Sequence, residues 1–193
     1  MRINSLCVFC GSSFGNERVY REKTIELGRY LGQNRIRLVY GGGGVGLMGA
    51  LAGAVLEAGG EVTGVIPELI FTKVKNLPVT ETIVTGDMHE RKSRMYEMSD
   101  AFTALPGGIG TIEELSEVFT WQQLGYHSKA VSVFDINDFY KNFLGFLNNA
   151  SSAGFIKNVH LKRLIVENDP ASLIKELESY DGKTIDKWSN NEQ

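Results

Sequence analysis

Cysteine is scarce in this chain of 193 residues, with only Cys7 and Cys10 present. Their Cys-x-x-Cys spacing raises the question of redox chemistry, but a reactive cysteine of that kind benefits from a helix N-terminus. Cys7 instead lies inside the apolar run Leu6-Cys7-Val8-Phe9. In a strand, an offset of three sends the two side chains to opposite faces. The pair reads as one buried cysteine and one at the strand's end. Long apolar runs are also missing: no stretch of about 18 such residues occurs, which argues against a membrane span. The opening Met1-Arg2-Ile3-Asn4-Ser5 lacks the apolar core and small-residue cleavage site of a signal peptide, so a cytoplasmic location is expected. Basic residues are not in excess. The net charge is -3 and the pI about 5.7, which disfavours a non-specific nucleic-acid binder. The three histidines, His89, His127 and His160, are far apart, and no Cys/His/carboxylate spacing resembles a metal site. No Gly-x-x-x-x-Gly-Lys-Ser/Thr supports an ATPase.

What is present is an ordinary composition for one compact domain, 42% hydrophobic and 22% charged. Strand-like and helix-like segments alternate. Strands are predicted over residues 5–9, 37–40, 61–66, 81–84, 101–105, 130–134 and 164–166. Helices are predicted over 17–34, 47–58, 89–99, 111–124 and 139–150, with Val19, Tyr20, Ile25, Leu27 and Leu31 as inward positions of the first. Asp169-Pro170 makes a further helix start, with Leu173, Ile174 and Leu177 as its apolar stripe. Residues 67–80 read as irregular. Short apolar strands separated by helices imply a parallel sheet covered on both faces. The expected fold is therefore α/β, a Rossmann-like doubly wound parallel sheet forming a single domain over residues 1–180, followed by a polar tail over 181–193. Ligands of such sheets bind beyond the carboxyl ends of the strands. That rule gathers three separate segments at one edge: Cys10-Gly11-Ser12-Ser13, the glycine run from Gly41 to Gly49, and the turn from Pro106 to Thr111.

The third segment is the most informative. Leu105-Pro106-Gly107-Gly108-Ile109-Gly110-Thr111-Ile112-Glu113-Glu114 runs from the end of a buried strand into a helix. Its glycines let backbone N–H groups approach a phosphate, and two carboxylates follow at once. This is the layout of an enzyme acting on a phosphorylated small molecule. A plainer reading stands beside it: Thr111-Ile112-Glu113-Glu114 is a capping box, with Thr111 as the cap. A second box, Asp87-Met88-His89-Glu90, opens the helix that carries Arg91 and Lys92. A cation in a first helical turn opposes the macrodipole, so Arg91 suggests a counter-anion; a solvated helix face is the alternative. Gly44-x-Gly46-x-x-Gly49 matches the dinucleotide fingerprint, yet it follows the second strand, and no acidic residue ends the next one. Tight helix–sheet packing is the competing explanation for Gly46 and Gly49.

Taken together, Cys10-Gly11-Ser12-Ser13, Gly41-Gly42-Gly43 with Gly46-Leu47-Met48-Gly49, Gly64-Val65-Ile66-Pro67, Met88-His89-Glu90-Arg91-Lys92 and Pro106 through Glu114 resemble the LOG ("Lonely Guy") family. These are cytokinin riboside 5′-monophosphate phosphoribohydrolases, long labelled lysine decarboxylases. The likeness runs from Leu6 to about Phe155. It implies cleavage of the N-glycosidic bond of AMP, or of an N6-substituted AMP, to a free base and ribose 5-phosphate. It implies Arg91 and Glu114 as the catalytic pair. Lys92, Gly108, Ile109, Gly110, Thr111, Ile112, Glu113 and Thr120 are the implied substrate contacts, joined by Ser12, Gly42 and Gly43 from the first two turns. No metal or organic cofactor is implied, and a homodimer is, for which Trp121-Gln122-Gln123-Leu124-Gly125 offers an interface. Family members often carry a glutamate in the loop after Gly-Val-Ile-Pro that reaches substrate from the neighbouring subunit. The matching Phe71-Thr72-Lys73-Val74-Lys75-Asn76 has two lysines and no acid. Two rival readings are a non-catalytic nucleotide carrier, which has no use for Glu114 with Arg91, and a pyridoxal-phosphate decarboxylase, which needs a Schiff-base lysine that no segment offers.

Overall fold

A computed structural model describes residues 2–74 and 77–183. Lys75 and Asn76 of the lysine-bearing loop, and most of the expected tail from residue 184 on, lie outside the described residues.

The chain alternates β1 (Ser5–Phe9), α1 (Arg18–Gln33), β2 (Arg37–Tyr40), α2 (Gly46–Glu57), β3 (Val62–Pro67), α3 (Glu68–Phe71), β4 (Glu81–Thr85), α4 (Met88–Glu97), β5 (Ala101–Ala104), α5 (Ile109–Leu124), β6 (Ala130–Phe134), α6 (Lys141–Ser152), α7 (Asn158–Leu161), β7 (Leu164–Glu167) and α8 (Pro170–Ser179). All seven strands are parallel, in the order β4-β3-β2-β1-β5-β6-β7. The order reverses between β1 and β5, which is the switch point where a doubly wound sheet opens a crevice. The expected Rossmann-like α/β architecture is therefore observed. Among the described residues, no helix is long and apolar enough to cross a membrane.

Two apolar layers cover the sheet, and the strand sequence sorts its residues between them with period two. Leu6, Val8, Leu38 and Tyr40 face one layer, completed by α1, α2 and α8. Cys7, Phe9, Val39 and Phe102 face the other, completed by α4, α5 and α6. The two cysteines fall on opposite faces as the strand offset predicts: Cys10 joins the first layer and Cys7 the second, both as free buried thiols. Burial pushes both thiols well above their ordinary range.

Three expectations need correction. Residues 67–80 are not wholly irregular, because β3 extends to Pro67 and α3 follows it directly. Helix α5 begins at Ile109 with Gly108 at its cap and no side-chain cap bond, so Thr111 is not the N-cap. Glycine supplies the extended cap conformation without a side chain, and Thr111 is thereby drawn into the first turn. On α1, Ile25 is only partly buried, and Thr24, Gly28 and Gly32 take buried places instead. A Cβ on Gly28 would press on Ala54 and the Leu51 carbonyl, and one on Gly32 on the Val55 carbonyl. Close helix approach, not an apolar stripe alone, decides that face. The start of α8 is as predicted: Asp169 accepts from Ser172 N at 2.9 Å, with Pro170 in the first position.

Gly46 joins the second turn to the first. Its φ is +59°, and a Cβ there would collide with the Ser12 carbonyl carbon and Ser13 N. Gly46→Ala meets both penalties, left-handed backbone and steric overlap, and is expected to lower stability by about 1–3 kcal/mol in urea unfolding. An unchanged midpoint would show that the two turns are not wedged together.

Candidate active site

The three turns meet at the carboxyl edge, on either side of the switch point. Gly11 N donates to Pro106 O at 3.0 Å, and Leu47 N and Met48 N donate to Gly11 O at 3.1 and 3.3 Å. The Tyr140 hydroxyl, fully buried, donates to Leu105 O at 2.6 Å, so the strand-to-helix turn is braced from the far side as well. Gly11 and Gly107 lie backbone to backbone, and Thr111 packs over Gly107, where any Cβ would overlap its hydroxyl. Beyond this brace the turn is open. A Cβ on Gly108 or Gly110 would meet nothing within 4 Å, and Ile109 is 86% exposed. The first N–H groups of a helix have no acceptor within it, and there is open space beside the amino end of α5 for an anion that would supply one.

Helix α4 delivers the opposite charge. Asp87 caps it, accepting from His89 N and Glu90 N, both at 2.8 Å, while Glu90 accepts from Gly86 N at 2.9 Å. Those backbone bonds hold the exposed Asp87 carboxyl below its ordinary range. The cap bears out the predicted box and fixes the helix so that Arg91 points inward. Arg91 Nη1 donates to Glu114 Oε1 at 2.7 Å, and its Nε donates to Val65 O at 3.1 Å. The guanidinium lies against Gly41, where a Cβ would strike Nη2. Both partners are buried, so the solvated-face reading of Arg91 does not hold. Burial drives the Glu114 carboxyl above the ordinary glutamate range, and the charge and hydrogen bond of Arg91 restrain that rise.

Lys92, also buried, reaches Glu113 Oε1 at 2.6 Å and Glu117 Oε1 at 3.0 Å. Burial works to lower its ammonium, but the bonds to Glu113 and Glu117 outweigh it and hold it above the ordinary lysine. The Tyr96 hydroxyl donates to the second Glu117 oxygen.

The fold thus brings together Arg91, Lys92, Glu113, Glu114 and the turn of residues 108–111. Ile112 is partly buried, its side chain packed against the second apolar layer. Gly42 and Gly43 are buried, and a Cβ on them would strike Ile66 and Met48. Gly46 and Gly49 are packing glycines too, the latter against the Gly44 carbonyl. Ser12 and Thr120 are exposed, Thr120 nearly two turns along α5 from Glu113. Sequence reasoning missed Glu117, Tyr96 and the carbonyl of Val65. Helical spacing carried a signal for two of them: Glu113 and Glu117 are four apart, and so are Lys92 and Tyr96. A mostly apolar concavity of about 610 Å³, lined by Tyr96, Phe102, Trp121, Tyr126 and Lys129 among others, lies at the amino ends of β5 and β6, away from this edge. Among the described residues, no cluster of three or more His, Cys, Asp or Glu is placed to hold a metal ion.

With this geometry in hand, comparison with known proteins is decisive. A family model described as possible lysine decarboxylase matches residues 48–177. The chain is 46% identical over 180 residues to the probable cytokinin riboside 5′-monophosphate phosphoribohydrolase LOGL9 of Oryza sativa subsp. japonica, covering 93% of this chain and 79% of that one. It belongs to the LOG family. Cytokinin riboside 5′-monophosphate phosphoribohydrolase LOG7 of Arabidopsis thaliana is 42% identical over 181 residues, covering 93% and 83%. Among solved structures, the molybdenum cofactor binding protein from Rippkaea orientalis aligns over 93% of this chain and 98% of its own, with a TM-score of 0.69 at 21% identity. That likeness establishes the shared fold alone.

The buried carboxyl gives a direct test. A folded-state pKa above the unfolded value, about 4.3 for glutamate, means that Glu114 contributes stability fully present below that value and lost as pH rises through its own midpoint. Carboxyl-carbon NMR is expected to place the Glu114 midpoint above ordinary glutamates, and Arg91→Met to move it higher still. A midpoint at or below the ordinary value would show that the ion pair outweighs burial.

Proposed function

We propose that this chain is a nucleoside 5′-monophosphate phosphoribohydrolase, hydrolysing the N-glycosidic bond of AMP or an N6-substituted AMP to free base and ribose 5-phosphate. The observation that carries the reading is the buried Arg91–Glu114 pair, 2.7 Å apart, set directly behind the open amino end of α5. The printed names of the relatives support the same reaction class.

In this mechanism the 5′-phosphate docks on the N–H groups of residues 108–111, with the Thr111 hydroxyl close by. Thr111 and Glu114 lie three residues apart on α5 and share one helix face, so a phosphate at the first turn sets the sugar over Glu114. Bond cleavage develops positive charge on the ribose, and an adjacent carboxylate stabilises such an oxocarbenium-like centre. Glu114 supplies that carboxylate and orients the attacking water, whose proton it can accept; burial raises the proton affinity of the carboxyl, which favours that transfer. Arg91 keeps enough of the group ionised to act. Glu113, half exposed at the mouth, holds ribose hydroxyls. The carrier alternative gains nothing from a buried ion pair, whose desolvation is costly unless it serves geometry or chemistry. We take the working form to be a cytoplasmic homodimer; light scattering would then give a mass near twice the 21.3 kDa of one chain.

The experiment is product release followed by chromatography across AMP, GMP, CMP, UMP and isopentenyl-AMP. Wild-type protein is expected to release adenine or the N6-substituted base. Glu114→Gln, which keeps the side chain's shape, is expected to lose about 100-fold or more in kcat; near-normal turnover would refute the assignment. Thr111→Ala is expected to weaken binding of the monophosphate more than of the nucleoside, and equal losses would place the phosphate elsewhere.

A further inference from the structure

The proposed reaction leaves Glu117 without a task. It nevertheless ends a chain of contacts that leads to the site mouth. The Tyr96 ring is fixed edge-on against Trp121, at 4.9 Å between centroids, and against Phe102 at 5.7 Å. The Lys129 ammonium donates to the Tyr96 carbonyl at 2.5 Å, so the backbone of that residue is tied as well. A tyrosine held in this way presents its hydroxyl at one place, and there it binds Glu117 Oε2. The other oxygen, Oε1, receives Lys92 at 3.0 Å. Both oxygens of Glu117 are therefore engaged by groups the fold positions.

Glu113 meets the same ammonium from the other side, at 2.6 Å, one turn nearer the open end of α5. The two carboxylates differ in their setting: the Glu113 side chain is 52% exposed and that of Glu117 is 23% exposed, whereas Lys92 itself is 9% exposed. Two carboxylates on one ammonium leave an excess of negative charge, and the solvated one is the easier to exchange for a ligand oxygen. Although the bond to Glu117 is the longer, it lies where the low local dielectric strengthens it and solvent ions screen it least.

Resting on the nucleotide-cleaving reading above, we propose that Glu117 is a positioning residue. With Tyr96 it forms an inner anchor that holds the Lys92 ammonium at the site mouth, while Glu113 is the outer partner that yields its place on Lys92 to the substrate. Without the anchor, Lys92 follows Glu113 outward, and the substrate must both compete with Glu113 and order a long side chain before it binds.

Two readouts on the intact protein test this, one of them independent of turnover. In the first, substrate-free protein is treated with limiting acetic anhydride, and modification of Lys92 is followed by peptide mass spectrometry. Because hydrogen bonds to charged groups are among the stronger ones, Glu117→Gln is expected to raise the Lys92 labelling rate about tenfold, Tyr96→Phe about threefold, and Glu113→Gln less than about twofold. In the second, Glu117→Gln is expected to raise KM for AMP about tenfold while kcat stays within about threefold, the signature of binding lost equally in ground and transition states. Unchanged Lys92 labelling in Glu117→Gln overturns the anchor, as does labelling that rises equally in Glu113→Gln. A fall in kcat at constant KM also overturns it, because the residue would then act on the chemical step. Should wild-type protein release no base from any nucleotide, the proposed function fails by itself, and the labelling pattern still decides whether Glu117 holds Lys92.

Discussion

The Arg91–Glu114 ion pair is the constraint around which the carboxyl edge is arranged. Removing two charges from water is costly, and attraction in the interior repays it only when the remaining hydrogen-bonding capacity is met. Here Arg91 donates from Nη1 to Glu114 and from Nε to the Val65 carbonyl, and its Nη2 lies where a Cβ on Gly41 would stand. These neighbours come from α5, from β3 and from the turn after β2. The pair ties α4 to α5 across one face, while the turns after β1, β2 and β5 tie the strand ends to one another. The turn stays open to a ligand at Gly108 and Gly110, where a Cβ would meet nothing within 4 Å.

The same constraint explains the contrast between the two layers. On the α1–α2 side, glycines bring helix and helix into close backbone contact, and among the described residues no charged side chain is buried there. On the α4–α5 side, aromatic rings and charged groups share the interior: Tyr96 packs on Phe102 and Trp121, and the Arg91–Glu114 pair and the Lys92–Glu117 pair lie on the same helices, with Glu113 at the exposed rim. One face provides rigidity through shape; the other carries paired charges, among them the Glu114 carboxyl that burial raises.

Much of the architecture was legible in the chain because strand and helix periods are clean. The alternation Leu6, Cys7, Val8, Phe9 assigns each residue to its layer, and Asp87 and Asp169 mark helix starts by a chemistry that admits few substitutes. The site was legible through Arg91 and the glycine turn, since a cation in a first turn calls for an anion. Other features were not. The start of α5 was misplaced because Thr111-Ile112-Glu113-Glu114 satisfies the spacing of a capping box, while the fold uses Gly108 for the cap and places Thr111 on Gly107. Gly42, Gly43, Gly46 and Gly49 could be read as ligand contacts or as packing, and only the neighbours of each Cα direction separate the two. Glu117 and Tyr96 sit on different helices, so their meeting is a tertiary fact with no local pattern.

Arg91 and Glu114 stand 23 residues apart, and β5 lies between them in the chain. Strand β5 is paired with β1 on one side and β6 on the other. The contact between the two helices is therefore non-local and requires β5 in its place. A change that displaced β5 would part the two charges and leave each uncompensated inside an apolar layer, so loss of the cleft would report damage to the middle of the sheet.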